Sequence, residues 1–173
     1  MAGESDKKGN IDDGVEIYMD FYKALQIGNW NAAKEFLNLH PNAISAKITI
    51  RDQTALHVAA GAGHVHIAEE LVKQMSEENL EIKDIFGFTA LAQAAYYGGN
   101  CRMAECMLGK NENLIRIVTE NGIPVVVALG NGYLKLARYL YLLTPLEILM
   151  PENGHMGASV VCAAIYNKAL GKN

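Results

Sequence analysis

The residues of this chain whose type and spacing could support chemistry are three neighbouring histidines, His57, His64 and His66. Imidazole nitrogen is a common zinc ligand, but a zinc site takes four ligands and no cysteine lies near these histidines in the sequence. The sequence also lacks a Gly-x-Ser-x-Gly elbow and a phosphate loop ending in Gly-Lys-Ser or Gly-Lys-Thr. We therefore predict no enzyme activity, no cofactor and no metal.

Composition restricts the class of protein. The chain has 173 residues, half of them apolar, which is enough to bury one continuous core in a globular domain or a stack. A net charge of -4 and a pI of about 5.7 give no broad basic field, so we expect no nucleic acid partner. Three cysteines form an odd set without a Cys-x-x-Cys pair, which favours a reduced, cytoplasmic location.

Two segments of the chain, one strongly polar and one strongly apolar, are also informative. Residues 1–14 are polar and contain no apolar run, which predicts a disordered tail, so the Asp12-Asp13 pair is unsuited to holding a catalytic geometry. Residues 123–150 are strongly apolar. Lys135, Arg138 and a Gly-Asn-Gly turn interrupt them well short of the ~20 residues that span a bilayer.

The elements that must position any site are read from residues 54–64. Thr54 is a good helix N-cap and Gly63 a good left-handed C-cap, which predicts a short helix that begins at Ala55. Apolar residues then recur on one face of a second helix, at Ile67, Ala68, Leu71, Val72 and Met75. The predicted unit is an antiparallel helix pair, with the acidic Glu77, Glu78 and Glu81 after it on the surface.

This unit repeats along the chain. Its first-helix alanines, Ala24, Ala59, Ala94, Ala128 and Ala163, step by 35, 35, 34 and 35 residues. Its second-helix doublets begin at Ala32, Ile67, Met103 and Leu136 and step by 35, 36 and 33 residues. A fixed period of this length is typical of a solenoid. We predict units at 15–45, 46–82, 83–117 and 118–145, and a partial unit at 154–173.

The repeated stretch resembles an ankyrin repeat, in which Asp-x-x-Gly-x-Thr-Pro-Leu-His is followed by x-Ala-Ala-x-x-Gly-His. The matching positions are Thr54, Leu56, His57, Ala59, Gly63, His64, Thr89, Leu91, Ala94 and Gly98. The resemblance implies an all-α solenoid of helix-turn-helix units joined by hairpin loops, with four full repeats and a partial fifth. It also implies structural roles for His57, which should meet Thr54, and for His64, which should satisfy backbone groups at a turn.

A narrower resemblance covers residues 61–66 and 68–72. These segments look like the amino-terminal repeats of plant ankyrin proteins that carry a membrane-spanning carboxy-terminal domain of the PGG type. It implies an alternative role, as the cytosolic input domain of a membrane-anchored protein in signalling or in stress and defence responses.

Departures from the family pattern predict local irregularities. Asp52 stands where the family prefers glycine, so we expect a distorted hairpin, and Gly98-Gly99 adds one residue to a turn. The fourth unit lacks one residue between Gly122 and Pro124. Pro145 should end its second helix, and residues 147–157 should form an irregular linker. The partial fifth unit is interpreted as part of a longer protein, or residues 160–170 serve as a cap.

The family's ligand-facing positions are the hairpin tips and the end of the first helix. In the third unit these are aromatic or apolar: Ile85, Phe86, Phe88, Tyr96 and Tyr97. In the second unit they are smaller or polar: Ile50, Arg51, Gln53, Gly61 and Ala62. Aromatic side chains are enriched among interface anchors. We expect a recess at Gly61 and Ala62 beside the tyrosines.

The sequence therefore predicts a protein-interaction scaffold with candidate partner-binding residues Ile85, Phe86, Phe88, Tyr96, Tyr97, Arg51 and Gln53. Two other interpretations of the aromatic residues stay open. They could pack on neighbouring hairpins and cover the irregular fourth unit, or they could make a homotypic contact. The identity of the partner and the oligomeric state do not follow from the sequence.

Overall fold

The computed structural model describes residues 16–150 and 154–169, so the predicted tail at 1–14 and the last residues of the predicted cap lie outside the described part. Within these ranges the chain forms eleven α-helices and no β-strand; an isolated bridge pairs Thr119 with Gly122. The all-α prediction is confirmed.

Four helix pairs follow one another along the chain. They are α1 (Met19–Gln26) with α2 (Trp30–Leu39), α3 (Ala55–Ala62) with α4 (Val65–Gln74), α6 (Ala90–Tyr97) with α7 (Cys101–Lys110), and α8 (Pro124–Gly130) with α9 (Leu134–Leu143). The short helix α5 (Glu77–Leu80) and two 3-10 turns (Pro41–Ile44 and Glu112–Arg116) lie between pairs, and the short helix α10 (Leu146–Leu149) follows the fourth pair. The longer α11 (Met156–Ala169) comes last.

A glycine in the left-handed conformation closes the turn inside each pair. The four are Gly28, Gly63, Gly99 and Gly132, with φ between 58° and 79°. The residue after each glycine caps the second helix, so these caps step by 35, 36 and 33 residues, as the sequence predicts. In the third unit the left-handed residue is Gly99 rather than Gly98, because Gly98 is the extra residue of that turn.

The first helices form one row, in which α3 packs between α1 and α6, and α8 packs between α6 and α11. Small side chains permit this close approach: Ala59, Ala60, Ala94, Ala95 and Ala128 are all buried. The second helices α4, α7 and α9 form a parallel row. Leu71, Met107 and Leu140 each point inward from this row and are fully buried. A salt bridge of 2.6 Å joins Arg102 on α7 to Glu69 on α4.

The hairpins that join the units share one hydrogen-bond pattern. Asp84 Oδ1 accepts from the backbone N–H groups of Phe86 and Phe88, and Thr49 Oγ1 accepts in the same way from Arg51 and Gln53. The expected distortion at Asp52 is wrong. Asp52 adopts the left-handed conformation that Gly87 has in the next hairpin, with φ values of 58° and 72°, and its carboxylate pairs with Lys47 at 2.6 Å.

The region after the fourth pair is more ordered than the sequence predicts. Pro145 follows the end of α9, as expected, but α10 then occupies part of the predicted irregular linker because Leu146 to Leu149 complete one helical turn. Helix α11 packs on α8 as α8 packs on α6, so it stands in the first-helix row as a fifth member.

Candidate partner-binding surface

A cavity of about 230 Å³ opens where the hairpin tips of three successive units meet the end of α6. Six of the seven candidate partner-binding residues line it: Arg51, Gln53, Phe86, Phe88, Tyr96 and Tyr97. Ile85 lies outside the cavity at the hairpin tip, with 55 % of its surface exposed. We call the six residues and their cavity the tip cavity.

Aromatic rings form one wall of the tip cavity. The centroid of Tyr96 lies 5.6 Å from that of Phe88 and 4.8 Å from that of Tyr97, and both pairs meet edge to face. Such pairs add stabilisation beyond their buried area. Tyr96 and Tyr97 nevertheless remain exposed, with Tyr97 at 56 %. The wall is therefore both held in place and accessible.

Charged groups of opposite sign stand on the two sides of this wall. The Arg51 guanidinium lies 5.9 Å from the centre of the Phe86 ring, a distance at which a cation is attracted to the ring face. Glu120 comes from the hairpin of the fourth unit. Within the described residues, neither Arg51 nor Glu120 takes part in an ion pair. Both charges are therefore available to a bound molecule.

The floor of the tip cavity is polar. Asp84 is buried and is held by its hydrogen bonds from Phe86 and Phe88. Gln53 Nε2 donates to Gln93 Oε1 at 3.3 Å. The Gln93 amide nitrogen would be 3.0 Å from a Cβ atom at Gly61, so Gln93 fills the recess that was expected there. Gly61 is needed because Gln93 packs directly over it.

Sequence reasoning missed four residues of the cavity: Asp84, Gln93, Glu120 and Asn121. Gln93 carried a signal, because it is the only polar residue in the α6 segment Ala-Leu-Ala-Gln-Ala-Ala before the tyrosines. Glu120 and Asn121 occupy the hairpin tip of the fourth unit, which corresponds to Ile85 and Phe86. Their absence from the prediction follows from applying the ligand-facing positions to the second and third units alone.

The alternative that the aromatic residues pack on their neighbours is true of part of the set. Phe88 is half-buried against the core, and its carbonyl oxygen accepts from His57 at 2.9 Å. Tyr97 also has a structural role through its backbone, since its carbonyl oxygen accepts from the Tyr133 hydroxyl at 2.9 Å. The side chains of Ile85, Phe86 and Tyr97 remain exposed.

The histidines of the repeat make structural contacts. Thr54 donates its backbone N–H to His57 Nδ1 at 3.2 Å, and the carbonyl oxygen of Phe88 can only accept, so His57 Nε2 must carry the proton. Burial lowers the pKa of His57, although the Phe88 carbonyl and the Asp84 charge oppose that shift. His57 is therefore neutral and links its own helix to the next hairpin.

His64 joins neighbouring units by a different route. Its ring packs over Gly28, and its Nε2 donates to the carbonyl oxygen of Gln26 at 2.8 Å. Tyr133 makes the corresponding contact two units later, over Gly99 and to the carbonyl of Tyr97. The exposed His66 joins neither contact. In the part of the chain that the structure describes, no three His, Cys, Asp or Glu side chains form a metal-binding group.

Comparison with known proteins agrees with this geometry. Residues 21–117, more than half of the chain, match the family model for ankyrin repeats, in three copies. The chain therefore belongs to the ankyrin repeat family, whose members are generally non-enzymatic modules for binding other proteins.

Two curated relatives are the mouse and rat proteins named ankyrin repeat and SAM domain-containing protein 6. Each is 27% identical to this chain over 114 residues. The match covers 66% of this chain but only 11% of each relative. Among the described residues, no helix is both long and apolar enough to cross a membrane.

Proposed function

We propose that this chain is a non-enzymatic interaction module that binds one protein partner across its hairpin tips and the exposed ends of its first helices. The observation that carries the proposal is the tip cavity itself. The third unit contributes aromatic rings to one opening, and the second and fourth units contribute Arg51 and Glu120, which form no ion pair within the described residues. Interface anchors in proteins are most often aromatic residues and arginine.

The chemistry of the surface indicates what kind of contact the partner makes. Helices α3, α6 and α8 contain no Asp, Glu, Lys or Arg, so these three first helices offer apolar and hydrogen-bonding contact. The tip cavity has room for one large side chain of the partner. Arg51 and Glu120, on opposite sides of the rings, would set its direction, because complementary charges at a rim fix orientation more than affinity.

The proposal is tested by quantitative affinity purification from cells with two variants. Tyr96→Ala/Tyr97→Ala removes the most exposed part of the aromatic wall and leaves the buried residues of α6 in place. Lys34→Ala/Leu39→Ala is the matched control, since it removes two exposed side chains of α2, far from the tip cavity. Circular dichroism establishes that all three proteins have the same helicity.

We expect at least one protein that is captured equally by wild type and by the α2 control but is depleted tenfold or more by the tyrosine variant. That loss corresponds to at least ~1.4 kcal/mol of binding free energy. If every captured protein binds the tyrosine variant as strongly as wild type, the tip cavity is not the binding site.

We further propose that the chain works as the binding part of a larger cytoplasmic protein. The name of the rodent relatives pairs ankyrin repeats with a SAM domain, and the match covers 11% of each of them. The three cysteines in the described residues are free, which suits a reducing compartment. The plant-type resemblance favours a variant of this role, at the cytosolic face of a membrane in a signalling or stress response. Apolar ~20-residue segments encoded downstream in the same transcript would distinguish it.

A further inference from the structure

The carboxyl-terminal end of the stack carries an open apolar groove of about 810 Å³ between α9, α10 and α11. Its walls include Leu134 and Tyr141 from α9, Leu146 from α10, and Val161 and Ile165 from α11. Among the described residues, Arg138 is the single charged residue in its lining. This groove is separate from the tip cavity and shares no residue with it.

Helix α11 exposes large apolar side chains to solvent, which its largely apolar composition does not favour. It has no charged residue from Met156 to Asn167, and apolar side chains project both on its packed side and on its open side. One side packs on α8, where Val160 is buried and the Asn167 amide donates to the carbonyl of Leu129. On the other side Val161, Ile165 and Tyr166 are 57–63 % exposed. A helix that is apolar all round is normally covered all round.

The earlier units show what kind of contact this groove makes. In each of them the first helix is covered by a second helix, as α3 is by α4, α6 by α7 and α8 by α9. Within the described residues α11 packs on α8, and the short α10 is the helix that lies on its side in place of a full second helix. The groove therefore continues the internal helix-on-helix interface of the molecule at the position of the fifth second helix.

We propose that a second copy of this chain covers the groove, through a two-fold contact between the carboxyl-terminal ends of two stacks. The exposed apolar area is of the right size. Tyr141, Leu142, Leu146, Val161, Ile165 and Tyr166 are each half or more exposed. Together they offer on the order of 600–700 Å² per copy, near the ~800 Å² that one side of a standard interface buries.

A two-fold contact places the same patch on both sides of the interface. Each copy supplies both a groove and projecting apolar side chains next to it, since Leu142 and Tyr166 are exposed but do not line the groove. The described lining carries one charge, on Arg138, so most of the contact between two copies is apolar. The contact leaves both tip cavities open, so the dimer would present two partner-binding surfaces.

Sedimentation equilibrium of the full chain tests the proposal at protein concentrations of roughly 2–200 µM, a range that brackets a dissociation constant of order ~10 µM. We expect the mass to rise with concentration from 18.9 kDa toward twice that value. Val161→Asp/Ile165→Asp places two charges in the contact at positions that are already exposed, so the variant should keep its helicity and stay monomeric. Ile50→Asp is the control: Ile50 is 80 % exposed on a distant hairpin tip, and its variant should still dimerise.

A wild-type chain that stays monomeric to 200 µM would overturn the proposal. A dimer that persists in Val161→Asp/Ile165→Asp would also overturn it, because the contact would then lie elsewhere. A synthetic peptide of residues 64–75, which carries the apolar face of α4, tests whether a single helix can occupy the groove. If wild type is monomeric and binds this peptide in the groove, the occupant is a helix of another kind and the two-copy contact is wrong.

Discussion

At the residue scale, His57 shows how one side chain couples two units of the stack. Its Nδ1 accepts from Thr54 at the start of α3, and its Nε2 donates to Phe88 in the next hairpin. The contact with Thr54 requires the neutral ring, since a protonated Nδ1 would face the Thr54 N–H. Protonation of His57 is therefore coupled to unfolding.

This coupling predicts a pH dependence of stability. Burial lowers the pKa of His57 in the folded protein, whereas the imidazole of the unfolded chain has a pKa of about 6.5. Below pH 6.5 the unfolded chain therefore binds the proton more readily than the folded protein does. Stability from this residue is complete above pH 6.5 and falls as the pH drops toward the folded pKa. Imidazole NMR should show that neutral His57 carries its proton on Nε2 and that the ring titrates with a midpoint below pH 6.5. Urea unfolding should show a loss of unfolding free energy over the same pH range.

The exposed His66 is the control for that experiment. His66→Gln should leave the acid-dependent loss unchanged, whereas His57→Gln should reduce its steepness while lowering stability at neutral pH. A midpoint for His57 at or above 6.5 would contradict the assigned hydrogen bonds.

Two turn glycines give a matched comparison at the same scale. Both Gly63 and Gly99 have positive φ, but a Cβ atom at Gly63 meets nothing within 4 Å, whereas one at Gly99 would lie 2.4 Å from the Tyr133 ring. Gly63→Ala should lower the free energy of unfolding by about 1 kcal/mol. Alanine is disfavoured in the left-handed conformation, and its lower conformational entropy in the unfolded chain offsets part of that penalty. Gly99→Ala should cost a further ~1–3 kcal/mol from overpacking. Chemical denaturation measures both.

Tyr133 can be removed to check the cause of the difference. In the Gly99→Ala/Tyr133→Ala double variant, the extra cost of the alanine should disappear, and a double-mutant cycle isolates that term. Equal costs at Gly63 and Gly99 in the presence of Tyr133 would show that the ring does not pack on the glycine.

Some residue-scale features followed from sequence and others could not. The contact of His57 with Thr54 and the left-handed Gly63 are local, so the repeat pattern contains them. The conformation of Asp52 was misjudged because a glycine position was assumed to need glycine, although aspartate tolerates positive φ better than most residues. Tyr133 in the place of a histidine was missed because its role depends on Gly99 of the preceding unit.

At the element scale, apolar periodicity determined the paired helices and little else. Each second helix shows an apolar doublet that recurs one turn later, and the structure has a ten-residue helix at each of these positions. Helices α5 and α10 are single turns of four residues, too short to show a period, and their sequences were predicted as an acidic surface segment and a linker. Pro145 precedes α10, where it ends one helix and its fixed φ suits the start of another.

The buried face of α4 carries the element-scale prediction. Leu71 is fully buried in the core between the two helix rows, so Leu71→Ala should cost about 2–5 kcal/mol through the cavity that it leaves. Lys73, on the solvent side of the same helix, is mostly exposed and pairs with Glu70. Lys73→Ala should leave the stability close to that of the wild type, because exposed ion pairs contribute little. Equal shifts in Tm for the two variants would contradict the orientation of α4.

At the scale of the whole molecule, the sequence predicted a stack but not the composition of the surface that the stack creates. The tip cavity collects Gln53, Phe88 and Glu120 from three hairpins that are about one period apart. Their proximity depends on how far each unit rotates against the next, which no single unit encodes. The residues with aromatic character were found from their type, whereas polar Gln93 and Asn121 required the assembled geometry.

The linear stack also predicts an uneven distribution of stability along the chain. In the second and third units, Thr54 and Thr89 cap first helices that have neighbours on both sides. In the fourth unit Ile123 takes the cap position without a side-chain hydrogen bond, α8 ends in Gly130, and α11 beside it is half open. Local opening in repeat proteins follows such nearest-neighbour terms.

Hydrogen exchange by mass spectrometry measures this difference directly. The monomeric variant Val161→Asp/Ile165→Asp is used, so that a covered groove adds no protection. We expect amides of α8, α9 and α11 to exchange at least tenfold faster than those of α3, α4 and α6, a gap of ~1.4 kcal/mol or more in opening free energy. Leu71→Ala in the same background should narrow the gap, because it weakens the central units while leaving the fourth unchanged. Uniform protection across all units would mean that the chain opens as one cooperative body, and the account of separable neighbouring contacts would fail.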